Sequence, residues 1–469
     1  MNSLYNISPY PVQNILCTVY SYNEGRIRYS KSFKRYLEFL KVSEYWSAEN
    51  IEEYRNEKLR KLIYHAYHTV PYYKKIFDTN KLKPSDIRSM DDLDKIPLLS
   101  KETVVSNRDM LISSKYSKKN LIKVYTGGTT GARLELYKPC DAIAFQWAVW
   151  WRHRMRYGIS MDDRNVNFTT KNVVPITRTK PPYWRWNYYM NQLLIGMNQI
   201  TADKTQSIVD KLNIVGASYF SGPPSLIHSL SSNAIDQGIV LKNKPRYIFY
   251  GAENLQSYQR RDIEKFAGAV ISDQYGTTEG VSNISRCEEL RYHEDFEFGS
   301  IEYINPIVEP DGRISYEIVC TGFANDAFPL IRYRIGDRAV LRTDNSLCKC
   351  GRQSAQIEEI VGRIEDYVVT PEGHKIMALP VVYSDLSTIK EVQAIQYSPD
   401  ELILKMVVRD NYTQNDEEFL RRQFRDIISP TLKLKFDYVH SIAREKNGKF
   451  RVIKSYINNE TNNENMTAG

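Results

Sequence analysis

No window of about 18 uninterrupted apolar residues occurs in this chain, and its opening, MNSLYNISPYPVQNILCTVY, lacks the basic start and long apolar core of a secretory leader. A membrane-spanning helix is therefore not expected, and the chain reads as soluble and cytoplasmic. Cysteine is scarce. Six in 469 residues cannot staple a disulfide scaffold, so their spacing carries more information than their number. Internal repeats are absent, and the only biased tract is NNETNNENMTAG at 458–469, expected as a disordered tail. Neither charge sign dominates: 64 Lys and Arg stand against 56 Asp and Glu, and the excess is spread along the chain, so a nucleic-acid partner is not implied. What remains is a globular composition, 42% hydrophobic, long enough for two or more cores.

The pattern divides the chain. From Ser32 to about Pro97, apolar residues three and four apart predict a helical N-terminal region. DAIAFQWAVWWRHRMRYGI and TADKTQSIVDKL read as further helices. The short apolar runs ASYFSG (217–222), RYIFYG (246–251) and GAVISDQYG (268–276) read as strands between helices, which is an α/β sheet. From Gly299 to Leu341 the text turns β-rich around a DG turn. Around Asp366 a small α+β unit begins, expected as strand, helix (ALPVVYSDLSTI), two strands, helix and strand. The predicted boundaries are 1–365 for a large domain, 366–457 for a small C-terminal domain and 458–469 for the tail.

Five motifs suggest chemistry. VYTGGTTGARLELYK (124–138) predicts strand, loop, strand. Gly127, Gly128 and Gly131 let backbone approach an anion, and Thr126, Thr129 and Thr130 supply hydroxyls, although a plain hairpin turn reads as well. ISDQYGTTEG follows a strand, at the edge where open α/β sheets bind ligands. There Tyr275 offers an aromatic face, Gly276 close backbone approach, Thr277 and Thr278 hydroxyls, and Glu279 a hard oxygen for Mg²⁺. RYRIGD supplies Asp337, VGRIED supplies Arg363 and Asp366, and KNGKFR supplies Lys449. CEELRYH and CKC together hold Cys287, His293, Cys348 and Cys350, a set that matches a closed tetrahedral zinc site, although CxC is a less usual spacing than CxxC.

In this order the motifs resemble the adenylate-forming superfamily over about residues 120 to 455. PLIRYRIGD, YFSGPPSLIHSL and CKCGR resemble its phenylacetate-CoA ligase branch and, more narrowly, the capsular-polysaccharide-biosynthesis relatives of that branch. The resemblance implies an α/β fold in which a large adenylation domain carries a small mobile α+β C-terminal domain. It also implies two-step chemistry: ATP and a carboxylic acid give an acyl-AMP and pyrophosphate, then the acyl group passes to an acceptor. Coenzyme A is one acceptor, and a sugar-precursor amine or hydroxyl is another. A non-catalytic nucleotide-binding relative remains an alternative. On this resemblance Thr126 to Gly131 hold the β- and γ-phosphates, Thr277 or Thr278 the α-phosphate, and Glu279 the Mg²⁺. Tyr275 flanks adenine opposite Gly251, Ala252 and Glu253, Asp337 takes the ribose hydroxyls, and Arg363 stays near the nucleotide. Lys449 bridges carboxylate and α-phosphate, with Lys446 and Lys454 as rivals, and Asp366 is the hinge. A structural Zn²⁺ at the Cys/His set is implied too. Ala132 and Arg133 depart from the usual Lys-Pro after the glycine loop.

Overall fold

The computed structural model describes residues 3–126, 134–309, 311–344, 346–363, 367–376, 379–383, 386–445 and 448–457. Its helices are α1 (Ser3–Ile7), α2 (Tyr10–Arg28), α3 (Lys31–Ser43), α4 (Ala48–Thr69), α5 (Pro71–Thr79), α6 (Lys101–Ser106), α7 (Cys140–Arg156), α8 (Thr205–Val215), α9 (Pro224–Asp236), α10 (Ser257–Ala267) and α11 (Gln414–Gln423). None is long and apolar enough to cross a membrane. The strands of the body are β1 (Ile122–Tyr125), β2 (Glu135–Lys138), β3 (Asn165–Thr169), β4 (Arg185–Asn187), β5 (Gln192–Gly196), β6 (Tyr219–Gly222), β7 (Tyr247–Tyr250), β8 (Val270–Gly276), β9 (Asn283–Arg286), β10 (Tyr292–Glu294), β11 (Gly299–Val308), β12 (Ile314–Gly322), β13 (Tyr333–Leu341) and β14 (Gln356–Arg363).

Twelve of these form one sheet, in the order β11-β12-β13-β14-β10-β9-β8-β7-β6-β3-β5-β4. Strands β5, β3, β6, β7 and β8 run parallel, because α8, α9 and α10 carry the chain back between β5, β6, β7 and β8. Their apolar residues, among them Phe168, Phe220, Ile248 and Ile271, are buried against those helices. From β8 onward every pairing is antiparallel, and α4 and α5 cover that half with Leu59, Ile63, Tyr73 and Phe77. One sheet thus changes character at β8, where Tyr275 sits.

The C-terminal unit pairs β15 (Val368–Val369) with β16 (Lys375–Ile376). It also carries a separate sheet ordered β19 (Lys433–Tyr438), β18 (Glu401–Val408), β17 (Ile389–Ser398), β20 (Ile453–Ser455), beside α11. The large α/β body and small α+β unit match the expected fold class. Within the small unit, the segment expected as a helix over ALPVVYSDLSTI is a single 3-10 turn, Leu379–Val382, among the described residues. Its Val381 and Val382 and the preceding proline favour neither a long helix nor its hydrogen bonds. Asp366 and the tail 458–469 lie outside the described residues.

Candidate active site and cysteine–histidine cluster

The parallel strands end on one side of the body, and Gly251 to Glu253 and Tyr275 to Glu279 lie at or just past the ends of β7 and β8. Strand β8 delivers Tyr275 and Gly276 to its carboxyl end, and the chain turns through Thr277–Gly280 with Gly280 N–H donating to Thr277 O at 3.1 Å. Gly280 has φ +70°, and a Cβ there would stand 2.7 Å from the Lys138 ammonium, so the turn is built for glycine. Tyr275 Oη donates to Asp337 Oδ2 at 2.6 Å, joining β8 to β13. Asp337 lies opposite Arg363 in the β13–β14 register. The Thr277 hydroxyl is buried and has no hydrogen-bond partner among the described residues, whereas Thr278 is exposed at the tip. Glu279 accepts a long contact from Tyr333 Oη at 3.4 Å.

Lys138 is a residue that sequence reading passed over. It ends β2, where the period-two pattern turns its side chain inward, and it is 4% exposed. Burial pulls its ammonium down to about 8, and Glu279 acts against that fall. Its Nζ donates to Gln146 Oε1 at 3.2 Å. A buried cation is thereby held between the glycine-loop hairpin and the YGTTE turn. The hairpin itself is as expected: β1 and β2 pair antiparallel, and Thr126 N–H donates to Leu134 O at 3.0 Å. Gly127, Gly128, Thr129, Thr130 and Gly131 lie outside the described residues.

After β7 the chain passes Gly251 and then Ala252, which has φ +72°, a left-handed conformation that costs an L-residue about 1–2 kcal/mol. The Glu253 carboxylate accepts from Ser225 N–H at 3.3 Å and from Phe450 N–H at 2.9 Å. Expected as part of an adenine wall, it ties α9 to the C-terminal unit beside Lys449. Burial raises its pKa, while the two N–H groups and Arg444 oppose the rise.

The Lys449 loop is seated in a defined way. Gly448 has φ +82°, and a Cβ there would meet Thr170 Cβ at 2.6 Å and Met197 Sδ at 3.1 Å. Phe450 is buried with the Arg444 guanidinium 4.5 Å from its ring centroid. Lys454, one rival, pairs with Glu445 at 2.7 Å, and Lys446 lies outside the described residues. Level with Tyr250, Asp273 of β8 accepts from Tyr292 Oη at 2.6 Å and faces Arg286 at 3.7 Å.

Farther along the sheet, Cys287, His293, Cys348 and Cys350 converge, with their donor atoms all within 4.8 Å of one another. Cys287 Sγ is 3.7 Å from Cys348 Sγ, and Cys350 Sγ is 3.4 Å from His293 Nε2. Four donors on a tetrahedron with bonds of about 2.0–2.3 Å stand about 3.4–3.8 Å apart, so the set fits zinc. Burial holds His293 down to about 4, leaving the neutral imidazole that a metal requires. Behind it, Arg352 reaches Glu44 at 3.0 Å and Glu288 at 2.8 Å. Arg156 pairs with Glu44 at 2.9 Å, and Arg152 pairs with Asp295 and Glu297 at 2.7 and 2.6 Å.

Comparison with known proteins bears on the fold. Residues 368–456 match the CapK C-terminal domain. Over 458 residues the chain is 25% identical to protein CapK of Staphylococcus aureus, covering 96% of this chain and 98% of that protein. The chain resembles CapK over nearly its whole length. It is also 21% identical to a phenylacetate-coenzyme A ligase of Thermus thermophilus, over 86% of this chain and 96% of that one. Among solved structures, 2-hydroxyisobutyryl-CoA ligase in the postadenylation state, in complex with R3-HIB-AMP, superposes with TM-score 0.67 at 16% identity, covering 91% of this chain and 94% of that chain. The fold is that of the adenylate-forming ligases.

Proposed function

We propose that this chain is an AMP-forming ligase that activates a carboxylic acid with ATP and passes the acyl group to coenzyme A. The observation that carries the reading is the Lys449 loop, seated by Gly448 against Thr170 and by Phe450 against Glu253, on the same side as the Tyr275–Asp337 pair. A carboxylate and an α-phosphate repel each other as they meet. The Lys449 ammonium neutralises both, and the unpartnered Thr277 hydroxyl donates to the α-phosphate. Lys138 adds a buried positive charge beside the YGTTE turn, and Thr126, Thr129 and Thr130 of the TGGTTG segment take the outer phosphates with Gly127, Gly128 and Gly131. Asp337 binds the ribose, Tyr275 lies along the adenine with Gly251 and Ala252 opposite, and Arg363 stays near the nucleotide. Glu279 suits Mg²⁺, which supplies charge neutralisation to the phosphates when bound. Cys287, His293, Cys348 and Cys350 hold a structural Zn²⁺. Asp366 is the hinge about which the small unit turns for transfer. Dependence on ATP and coenzyme A puts the work in the cytoplasm.

The test is ATP-dependent pyrophosphate release across aryl, fatty, hydroxy and amino acids. The polar wall of Asp273 and Arg286 makes the hydroxy and amino acids the first to try. Lys449→Ala is expected to lower release by about 10²–10³-fold while ATP still binds. Hydroxylamine trapping of an acyl-AMP separates acid activation from transfer of AMP itself. Release that needs no acid, or that survives in Lys449→Ala, rejects the proposal. Thioester formation identifies coenzyme A as acceptor, and acylation of a sugar amine or hydroxyl in its place identifies the other.

A further inference from the structure

Helix α2 is inside out. Its inward side chains are polar, and they hold β4 at the edge of the large sheet. Gln13 Oε1 accepts from Arg185 Nε at 2.6 Å, Asn14 Oδ1 from Trp186 N–H at 2.9 Å and Thr18 Oγ1 from Tyr188 N–H at 3.1 Å, while Asn187 Nδ2 donates to Ser21 Oγ at 2.9 Å. These bonds occupy an edge that is otherwise open to another strand. The outward side chains are apolar: Val12, Ile15, Leu16, Val19, Tyr20 and Tyr22 are 41–56% exposed. At 100° per residue they span an arc of about 160°, the width of stripe that a surface helix normally turns into the core. Leu4 and Ile7 of α1 are exposed as well, at 71% and 79%.

The border of this face has one sign of charge. Residues 1–23 and 164–202 contain no aspartate or glutamate, and 164–202 contains five Lys and Arg, of which all but the buried Arg185 reach solvent. Lys171 Nζ stands 4.9 Å from the Tyr20 ring centroid, and Tyr22 packs edge-on against Tyr189 at 5.5 Å. Ile176, Lys180 and Tyr188 are exposed on the same segment. Glu24, at the far end of α2, is paired with Arg28 at 2.6 Å.

We propose that this face seats the protein on the headgroup layer of an anionic lipid bilayer, with α2 lying in the interface. An apolar stripe flanked by tyrosines and unopposed cations has the make-up of an interfacial helix, and the helix is too polar on its other face to span. A second copy fits less well, because two acid-free cationic faces would be brought together. The tail sequence 458–469, with two glutamates and methionine as its only large apolar residue, does not supply a cover. The face adjoins the proposed active site: Thr170 abuts Gly448, and the next residue, Lys171, borders the face.

The test is co-sedimentation of the full-length chain with vesicles of phosphatidylcholine alone and of phosphatidylcholine mixed with phosphatidylglycerol. Binding is expected to be about tenfold stronger with the anionic lipid and to weaken as salt rises. Ile15→Asp/Val19→Asp reduces it about tenfold or more, and Lys171→Glu/Lys180→Glu reduces it by a smaller factor, both with unchanged melting. The proposal is overturned by absence of binding to the anionic vesicles, by equal binding to both kinds, or by binding that neither pair of substitutions weakens. A concentration-dependent dimer that Ile15→Asp/Val19→Asp dissolves also overturns it, in favour of a second copy.

Discussion

Arginine does opposite work in two regions of this molecule. Behind the cysteine–histidine cluster, Arg152, Arg156 and Arg352 are each about 2–3% exposed, and each pairs with carboxylates that are themselves mostly buried, fastening α3, α7 and the 287–297 and 348–352 segments together. At the seam between body and C-terminal unit, Arg409 pairs with Asp236 and Asp262, Lys390 also pairs with Asp236, and Arg444 reaches Ser229 at 3.4 Å; Asp262 is buried, and Asp236, Lys390, Arg409 and Arg444 are nearer to solvent. Among the described residues, Tyr258 of α10 is an apolar anchor across the seam, buried within the core of the small unit. Breaking one partner of a buried network strands a charge, whereas seam pairs can exchange for water at little cost. The first arrangement suits a permanent brace and the second a contact made and released.

Metal removal should break this contrast most severely. Cys348→Ser/Cys350→Ser is expected to lose one zinc per chain by elemental analysis and to melt far below the parent, since structural zinc binding contributes directly to folding free energy. Unchanged metal content would refute the zinc assignment. Arg152→Met comes next, expected to cost about 3–5 kcal/mol because Glu297 is left buried without its cation and Asp295 keeps only Arg156, at 3.4 Å. Denaturant unfolding measures it, and a loss under about 1 kcal/mol would make the brace no stronger than the seam.

Arg409→Ala should cost less unfolding stability than Arg152→Met, since Asp262 keeps His228 at 3.0 Å and Asp236 keeps Lys390, and should slow acyl-AMP formation several-fold by releasing the small unit. Pyrophosphate-release kinetics beside a melting curve test the split, and equal damage to both would erase the distinction.

The smallest effect concerns pH. Glu253 has its pKa raised by burial in the docked arrangement, so docking favours its protonated form. Docking is therefore expected to be strongest below the ordinary carboxylate value near 4.5 and to weaken as pH rises through the raised value, with Arg444 and the two N–H donors limiting the change. Glu253→Gln should flatten that limb of the pyrophosphate-release profile; a limb of unchanged slope assigns it elsewhere.

Much of this architecture was legible because its signals are local. Strands β6, β7 and β8 are short apolar runs, the DG turn announces β11 and β12, and α7 follows from its apolar spacing. The four cluster residues were legible as two pairs, although 55 residues separate His293 from Cys348 and only the β10–β14 pairing brings the pairs near. Strand β3 was missed because its inward residues include Asn165, whose amide bonds to Asp163 O and Met190 O, and asparagine argues against a strand. Helix α2 was missed because its polar face is the buried one. Lys138 and the true partners of Glu253 depend on contacts that no spacing rule encodes.

The order of the large sheet has a consequence for how the chain is made. Strand β13, which carries Asp337, joins the half that carries Tyr275 through β14, β10 and β9. Strand β14 is the last of the body to be translated. Until residue 363 clears the ribosome, β10 and β13 each present an unpaired edge, and the strand that carries Asp337 is not yet joined to the one that carries Tyr275. A nascent chain halted between the end of β13 and that point carries the glycine loop and the YGTTE turn and still has no complete site, with two open edges for a neighbouring polypeptide or a chaperone to find.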